Sequence, residues 1–227
     1  MEVSSRLQRL LPHLRKRFTS QTGADGLFPI LTKRQTQNAW ASIPELEFSR
    51  PREAAILVPI IELRDEIHLV FTKRSSNLRS HGAEISFPGG GREDGDTTLI
   101  DTALRETREE LLHPLDFSWE TIGECGVVPS LRGIPVTPVL AVHTSSLSSI
   151  EDVFPGCPHE VDKVFTVGLR ALIEEESSEP LGRLGTPAPV FMVGDDEIWG
   201  LTAFVLRPIL HNLLKPVFLD RVAGVED

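Results

Sequence analysis

Across 227 residues there are only two cysteines, Cys125 and Cys157. That is too few for a disulfide framework and suits a reducing compartment. No apolar run approaches the roughly 18 residues that a membrane helix needs, so no membrane span is expected. Basic charge is scarce as well: 23 Lys and Arg face 33 Asp and Glu, for a formal net charge of −10. General nucleic-acid binding needs a basic footprint, and that class is excluded. A polyanionic small molecule is not, because bound cations and a local arginine cluster reverse the field at a site. Internal repeats and low-complexity tracts are missing too. What remains, 40% hydrophobic and 25% charged residues, describes a soluble globular protein of one domain with some extension.

Acids are nearly absent from the N-terminus, where Glu2 is the only one before Asp25. Leu7, Leu10, Leu11 and Leu14 follow helical spacing there, surrounded by Arg6, Arg9, Arg15, Lys16 and Arg17. Three readings are open. Arg6-Leu7 followed by His13-Leu14 resembles the N-terminal peroxisomal targeting signal, which implies an import receptor as partner. An arginine-rich, acid-poor mitochondrial presequence is the alternative. The third is an ordinary amphipathic helix packed on the domain and interrupted by Pro12. The final Val225-Glu226-Asp227 is not the Ser-Lys-Leu peroxisomal signal, so the peroxisomal reading rests on the N-terminus alone. Residues 1–20 are taken as this segment, 21–50 as a linker and lead-in, and 51–227 as the catalytic domain.

From Ala54 the chain reads Ala-Ala-Ile-Leu-Val-Pro-Ile-Ile-Glu-Leu, a buried strand with Pro59 near its edge or end. Arg64-Asp65-Glu66 turns it into a second strand from Ile67 to Thr72. Strands are also expected at 121–128 and 136–142, on either side of Pro129-Ser130-Leu131-Arg132-Gly133. That turn lines a cleft or is a plain hairpin. Glu160 to Val167 leads into another strand, and Leu169 to Glu176 into a helix. A hairpin across Gly194-Asp195-Asp196 joins 187–193 to 197–199. Gly200 to Leu214 reads as a final helix. The alternation predicts an α/β fold.

The centre of the chain is Phe87 to His113. Its first half, Phe87-Pro88-Gly89-Gly90-Gly91-Arg92-Glu93-Asp94-Gly95-Asp96, is a glycine-rich turn loaded with acids. Its second half predicts a helix that ends before Pro114. Ile100, Ala103, Leu104, Thr107 and Leu111 make one mostly apolar stripe, while Glu106, Glu109 and Glu110 converge on another face. Three carboxylates within one turn repel each other, and a hard divalent cation, Mg2+ or Mn2+, turns that repulsion into coordination. The plain alternative is a solvated face in which Arg105 pairs with Glu109. A preceding glycine turn, which lets backbone amides approach a phosphate, favours the metal.

Arg105-Glu106-Thr107-Arg108-Glu109-Glu110 behind a glycine loop resembles the signature of the Nudix hydrolases, enzymes that cleave nucleoside diphosphates linked to another group. The supporting positions are irregular. With Gly91 as the first glycine, Thr97 stands where the family has Glu; a shift of one pairs Gly90 with Asp96. Leu112 and His113 replace a glycine and an apolar residue. Upstream, Thr72-Lys73-Arg74-Ser75, then Leu78-Arg79-Ser80-His81, then Phe87-Pro88-Gly89-Gly90 are similar to the extra motif of the coenzyme A pyrophosphatase branch, with Glu84 in place of a glutamine.

The resemblance implies a Nudix-like α/β/α sandwich around a mixed β-sheet. It implies a Mg2+ or Mn2+ cofactor held by Glu106, Glu109 and Glu110, and catalysis by those residues with Arg105. Arg74, Arg79, His81, Gly89 and Gly90 are implied to bind substrate; surface roles are the plain alternative for the arginines. Glu160, in a Glu-Val-x-x-Val-Phe segment, is implied as an extra ligand or a water-orienting base, against a solvated acid at a strand start. The implied reaction splits coenzyme A or acyl-CoA into 3′,5′-ADP and 4′-phosphopantetheine or its acyl form. Two rivals stay open: a Nudix hydrolase of ADP-ribose or NADH, and a non-catalytic Nudix-fold binding module. Oligomeric state is not legible.

Overall fold

Apolar residues without alternation specify a strand buried on both faces. β1 (Ala54–Leu63) is that strand, and it lies at the centre of an eight-stranded mixed sheet. The computed structural model describes residues 5–41, 53–75, 84–112, 119–150, 153–179 and 188–219. On one side β1 runs parallel to β7 (Pro135–Leu147). On the other it pairs in two halves, Ala54–Ile56 with β4 (Gly89–Gly91) and Ile60–Leu63 with β2 (Glu66–Arg74). Pro59 sits where those partners change, not at an edge. Leu57 N donates to Pro88 O on that side; two residues on, the missing N–H of Pro59 faces the same gap. A central strand thus tolerates a proline.

β2 continues the sheet to β8 (Val161–Gly168) and β3 (Ile85–Ser86), and β7 to β5 (Trp119–Glu124) and β6 (Val128–Pro129). Arg64 and Asp65, at φ 51° and 66°, make the tight turn between β1 and β2. On one face α3 (Leu99–Leu111) packs through Ala103 onto Ala55, Leu57, Val139 and Ala141. The three alanines let the helix lie close to the sheet. The opposite face, with Val58, Ile60, Leu140 and Val142, is covered by α1 (Arg6–Gln21) and α5 (Gly200–Ile209). The fold is the α/β/α sandwich expected.

The N-terminal segment belongs to this core. α1 buries Leu7, Leu14 and Phe18, and Pro12 lies inside it. Its first turn is received by the buried Glu62 carboxylate, which accepts Leu7 N at 2.5 Å. Arg15 pairs with Glu120 at 2.7 Å. Phe18 stacks on Phe28, whose backbone bridges to Cys125. This stretch is thus an amphipathic helix packed on the domain, as in the third of its readings. The lead-in also holds α2 (Lys33–Ala41), where the polar sequence suggested only a linker.

A smaller antiparallel sheet contains β9 (Glu176–Glu179), β10 (Ala188–Val193) and β11 (Asp196–Ile198). The hairpin was expected but β9 was not: α4 (Leu169–Glu174) stops early and the chain becomes extended at Glu176. The final helix is not uniform. A π-helical turn, Leu210–Leu214, separates α5 from α6 (Lys215–Phe218). Pro208 and Pro216 each withdraw a backbone donor, and the wide turn lies between them.

Candidate active site

α3 starts with a capping box. Thr98 Oγ1 accepts Asp101 N at 3.1 Å and Asp101 Oδ2 accepts Thr98 N at 2.8 Å. The helix ends at Leu112, left-handed at φ 49°, whose N–H donates to Arg108 O. Glycine adopts that conformation freely; Leu112 is 46% exposed, so little burial compensates it. Leu112→Gly should therefore raise stability by ~0.5–1 kcal/mol, relief of left-handed strain less the extra freedom of an unfolded glycine. A urea midpoint at or below wild type would show that the leucine is not strained.

The glycine stretch is not a free turn, as the sequence suggested, but the strand β4 laid against β1. Gly89, at φ 151°, has no room for a Cβ beside Ala55 O and Ile56 Cα. At Gly90 a Cβ would overlap the Glu106 carboxylate. Both glycines are thus required for close approach, one to the sheet and one to an acid of α3.

Arg105 ties the acids to this backbone. It donates to both Asp96 oxygens at 3.0 Å and to Gly91 O at 2.9 Å. It also lies 3.1 Å from Glu106 Oε1 and 3.1 Å from Glu109 Oε2. The i, i+4 pair weighed from sequence therefore exists, as one arm of a larger network. Arg105 holds the Asp96 carboxyl well below the usual range, aided by the Glu93 backbone N–H. Asp96, which the shifted register of the box pairs with Gly90, has no role assigned from the sequence. Its signal was the one-residue offset in the box, where an aspartate takes up the slack that a glutamate would otherwise fill.

Glu110 is the buried member of the trio. Its side chain is 4% exposed and lies 3.2 Å from Arg74 Nη1, and Gly89 N donates to it at 3.4 Å. Burial pushes its carboxyl up to about 7, against the pull of Arg74 and Gly89, with Glu106 and Glu160 adding repulsion. Desolvation likewise raises Glu106, opposed by Arg105 and reinforced by Glu109 and Glu160. Glu160 is therefore close enough to act on both. Its turn is fixed by Ser75 N donating to Glu160 O at 2.9 Å, while Cys157 N donates to Glu110 O at 2.8 Å. Glu109 is the outlying acid, its side chain 54% exposed and turned to Arg105. Arg79, His81 and His113 lie outside the described residues.

Among the described residues no three His, Cys, Asp or Glu side chains converge closely enough to hold an ion as they stand; arginines lie against the carboxylates instead. The donor chemistry nevertheless fits a hard divalent cation. The set is all carboxylate oxygen, and burial and mutual repulsion make each added positive charge favourable. Such a cluster beside forked arginine donors and bare backbone suits a diphosphate.

Comparison with known proteins agrees with this chemistry. Residues 50–183 match the NUDIX domain. The human protein named mitochondrial coenzyme A diphosphatase NUDT8 is 33% identical over 192 residues, covering 78% of this chain and 76% of that protein. Its mouse counterpart is 37% identical, covering 79% and 86%. An Escherichia coli O7:K1 protein named uncharacterized Nudix hydrolase NudL is 35% identical, covering 73% and 85%. The chain belongs to the Nudix family, on its coenzyme A pyrophosphatase branch, and is a pyrophosphatase enzyme.

Proposed function

We propose that this Nudix hydrolase cleaves the pyrophosphate of coenzyme A and its derivatives, releasing 3′,5′-ADP and 4′-phosphopantetheine or its acyl form. The observation that carries the reading is the placing of Glu106 against Gly90 and of the buried Glu110 on Gly89 N, next to Arg74 from the upstream motif. The coenzyme A diphosphatase name of the human and mouse relatives supports the substrate.

Glu106, Glu109 and Glu110 hold Mg2+ or Mn2+ in this reading. A bound cation supplies charge neutralisation at phosphate oxygens and a more acidic water. The rest is the work of the chain. Asp96 fixes Arg105, and Arg105 fixes Glu106 against Gly90, so the acid does not reorganise when charge develops. Glu160 holds the attacking water or accepts its proton. Arg74, with Arg79 and His81, meets the substrate phosphates through directed donors. Gly89 and Gly90 let β4 lie close enough for Glu106 and Glu110 to reach the same backbone.

A substrate panel tests this. The protein is incubated with Mg2+ or Mn2+ and coenzyme A, dephospho-coenzyme A, ADP-ribose or NADH, and the products are separated. Cleavage of coenzyme A to 3′,5′-ADP, faster than cleavage of the dephospho form, is expected. Preference for ADP-ribose or NADH would assign another substrate, and no cleavage at all would make the chain a binding module.

For location, the mitochondrial alternative is the one proposed, on the names of the human and mouse relatives. The peroxisomal reading is not carried further. Leu7 and Leu14, both part of its pattern, are buried, and a receptor would have to unpack α1 to read them.

A further inference from the structure

Two arginines lie against the acidic cluster, and they are held differently. Arg105 is fastened to Asp96, the Gly91 carbonyl, Glu106 and Glu109. Its partners come from the loop before α3, from β4 and from its own helix, so it is part of the frame. Arg74 makes one side-chain contact among the described residues, Nη1 to Glu110 Oε1 at 3.2 Å, which is long for a charge-assisted bond. Its side chain is 31% exposed while that of Glu110 is 4% exposed. Arg74 thus stands at the mouth of the site with its guanidinium reaching inward.

A buried carboxylate without a positive neighbour carries a heavy desolvation penalty. An ionised Glu110 therefore calls for a cationic neighbour. Arg74 fills that place here, and the long stem of an arginine lets it leave without disturbing the strand.

We propose that Arg74 is the exchangeable counter-ion of Glu110: it lies on the buried carboxylate in the cation-free site, leaves when Glu110 takes up a divalent cation, and turns its fork to the phosphates of the substrate. The proposal rests on the reading above that Glu106, Glu109 and Glu110 hold the cation. Three features of the site agree with it. Among the described residues no three acids converge while Arg74 draws on Glu110 and Arg105 draws on Glu109. Arg74 ends β2 at a break in register with β8, between Lys73 and Arg74, and such irregularities re-aim a side chain. Its backbone N donates to Glu84 O at 3.0 Å, so the main chain is anchored while the side chain is free to swing. The consequence is cooperativity. Cation binding frees the anion-binding arm, and by linkage the anion then favours the cation.

The test uses the whole protein at pH 8.5. Mn2+ alone is titrated calorimetrically into wild type, Arg74→Gln and Glu110→Gln. In parallel, the guanidinium carbon signals of 13C-labelled wild type are followed as Mg2+ is added, the Arg74 signal being assigned with Arg74→Lys. The Mn2+ dissociation constant should fall about fivefold or more in Arg74→Gln, the lower end of ordinary coupling between sites. The Arg74 signal should move on saturation with Mg2+ while that of Arg105 stays. Unchanged or weaker Mn2+ binding in Arg74→Gln overturns the exchange. Tighter binding with a stationary Arg74 signal also overturns it, because simple charge repulsion then suffices. If Glu110→Gln binds Mn2+ as well as wild type, the metal assignment fails first, and the exchange falls with it.

Discussion

Replacing Glu110 by glutamine is expected to lower turnover by ~10²–10³-fold, the scale seen when a preorganised electrostatic group is lost from an active site. The substitution keeps the size of the side chain and its helix propensity, so α3 stays in place over β1. What it removes is one charge from the most enclosed point of the cluster. Glu109→Gln should hurt less, because the Glu109 side chain is 54% exposed against 4% for Glu110.

The same substitution should stabilise the metal-free protein. The folded-state carboxyl of Glu110 is pushed up to about 7, from 4.5 when unperturbed. A raised acid is at its most stabilising below the unfolded value, and that contribution is lost as pH rises through the folded value. Wild type without metal should therefore lose stability between about pH 5 and pH 8, on the order of 2–3 kcal/mol, and Glu110→Gln should lose much less. Thermal unfolding in a chelator at pH 5 and pH 8.5 measures this. A variant that is both inactive and less stable at pH 8.5 would mean that Glu110 holds the helix in place and does not serve the reaction.

Leu14→Ala should cost ~2–5 kcal/mol of stability, the range for truncating a fully buried leucine. Leu14 is 0% exposed and lies in the main cluster with Phe18, Val142 and Leu213. A detachable targeting peptide would give no such loss, since its leucines would face solvent in the folded enzyme. Chemical denaturation of the purified protein settles the point. A change within ~0.5 kcal/mol, the size of an ordinary surface substitution, would mean that α1 is not part of the cooperative core.

These two residues show where the sequence is legible and where it is not. The spacing of Ala103, Leu104, Thr107 and Leu111 fixed the face that α3 presents to the sheet, and with it the side on which the acids gather. α1 has an equally clear stripe. An amphipathic pattern says that a surface is covered, however, and not by what. A receptor, a membrane and the protein's own sheet ask for the same leucines. Only burial of Leu7 and Leu14 separates them.

Other misses have local causes. Gly89-Gly90-Gly91 has no side chains and so no period, yet it pairs as a strand because β1 leaves its first three residues open on that side. Glu176-Ser177-Ser178-Glu179 carries no apolar alternation and becomes a strand only through its neighbour β10. Asp96 was visible through the one-residue offset of the box, but not its hold on Arg105, because a side chain reaching back from a loop leaves no periodic signal. The carboxylates of Glu106 and Glu110 were legible as a set. Their different environments were not, because the glycine and the two arginines that distinguish them come from other segments.

The central claim is that this cluster cleaves the diphosphate of coenzyme A. 31P NMR of coenzyme A with Mg2+ and the wild-type protein tests it most directly. The paired diphosphate resonances should disappear and two new monophosphate resonances rise in their place, with the 3′-phosphate signal retained and Glu110→Gln showing little change over the same time. Intact diphosphate resonances after prolonged incubation with a folded, metal-loaded wild type would contradict the claim.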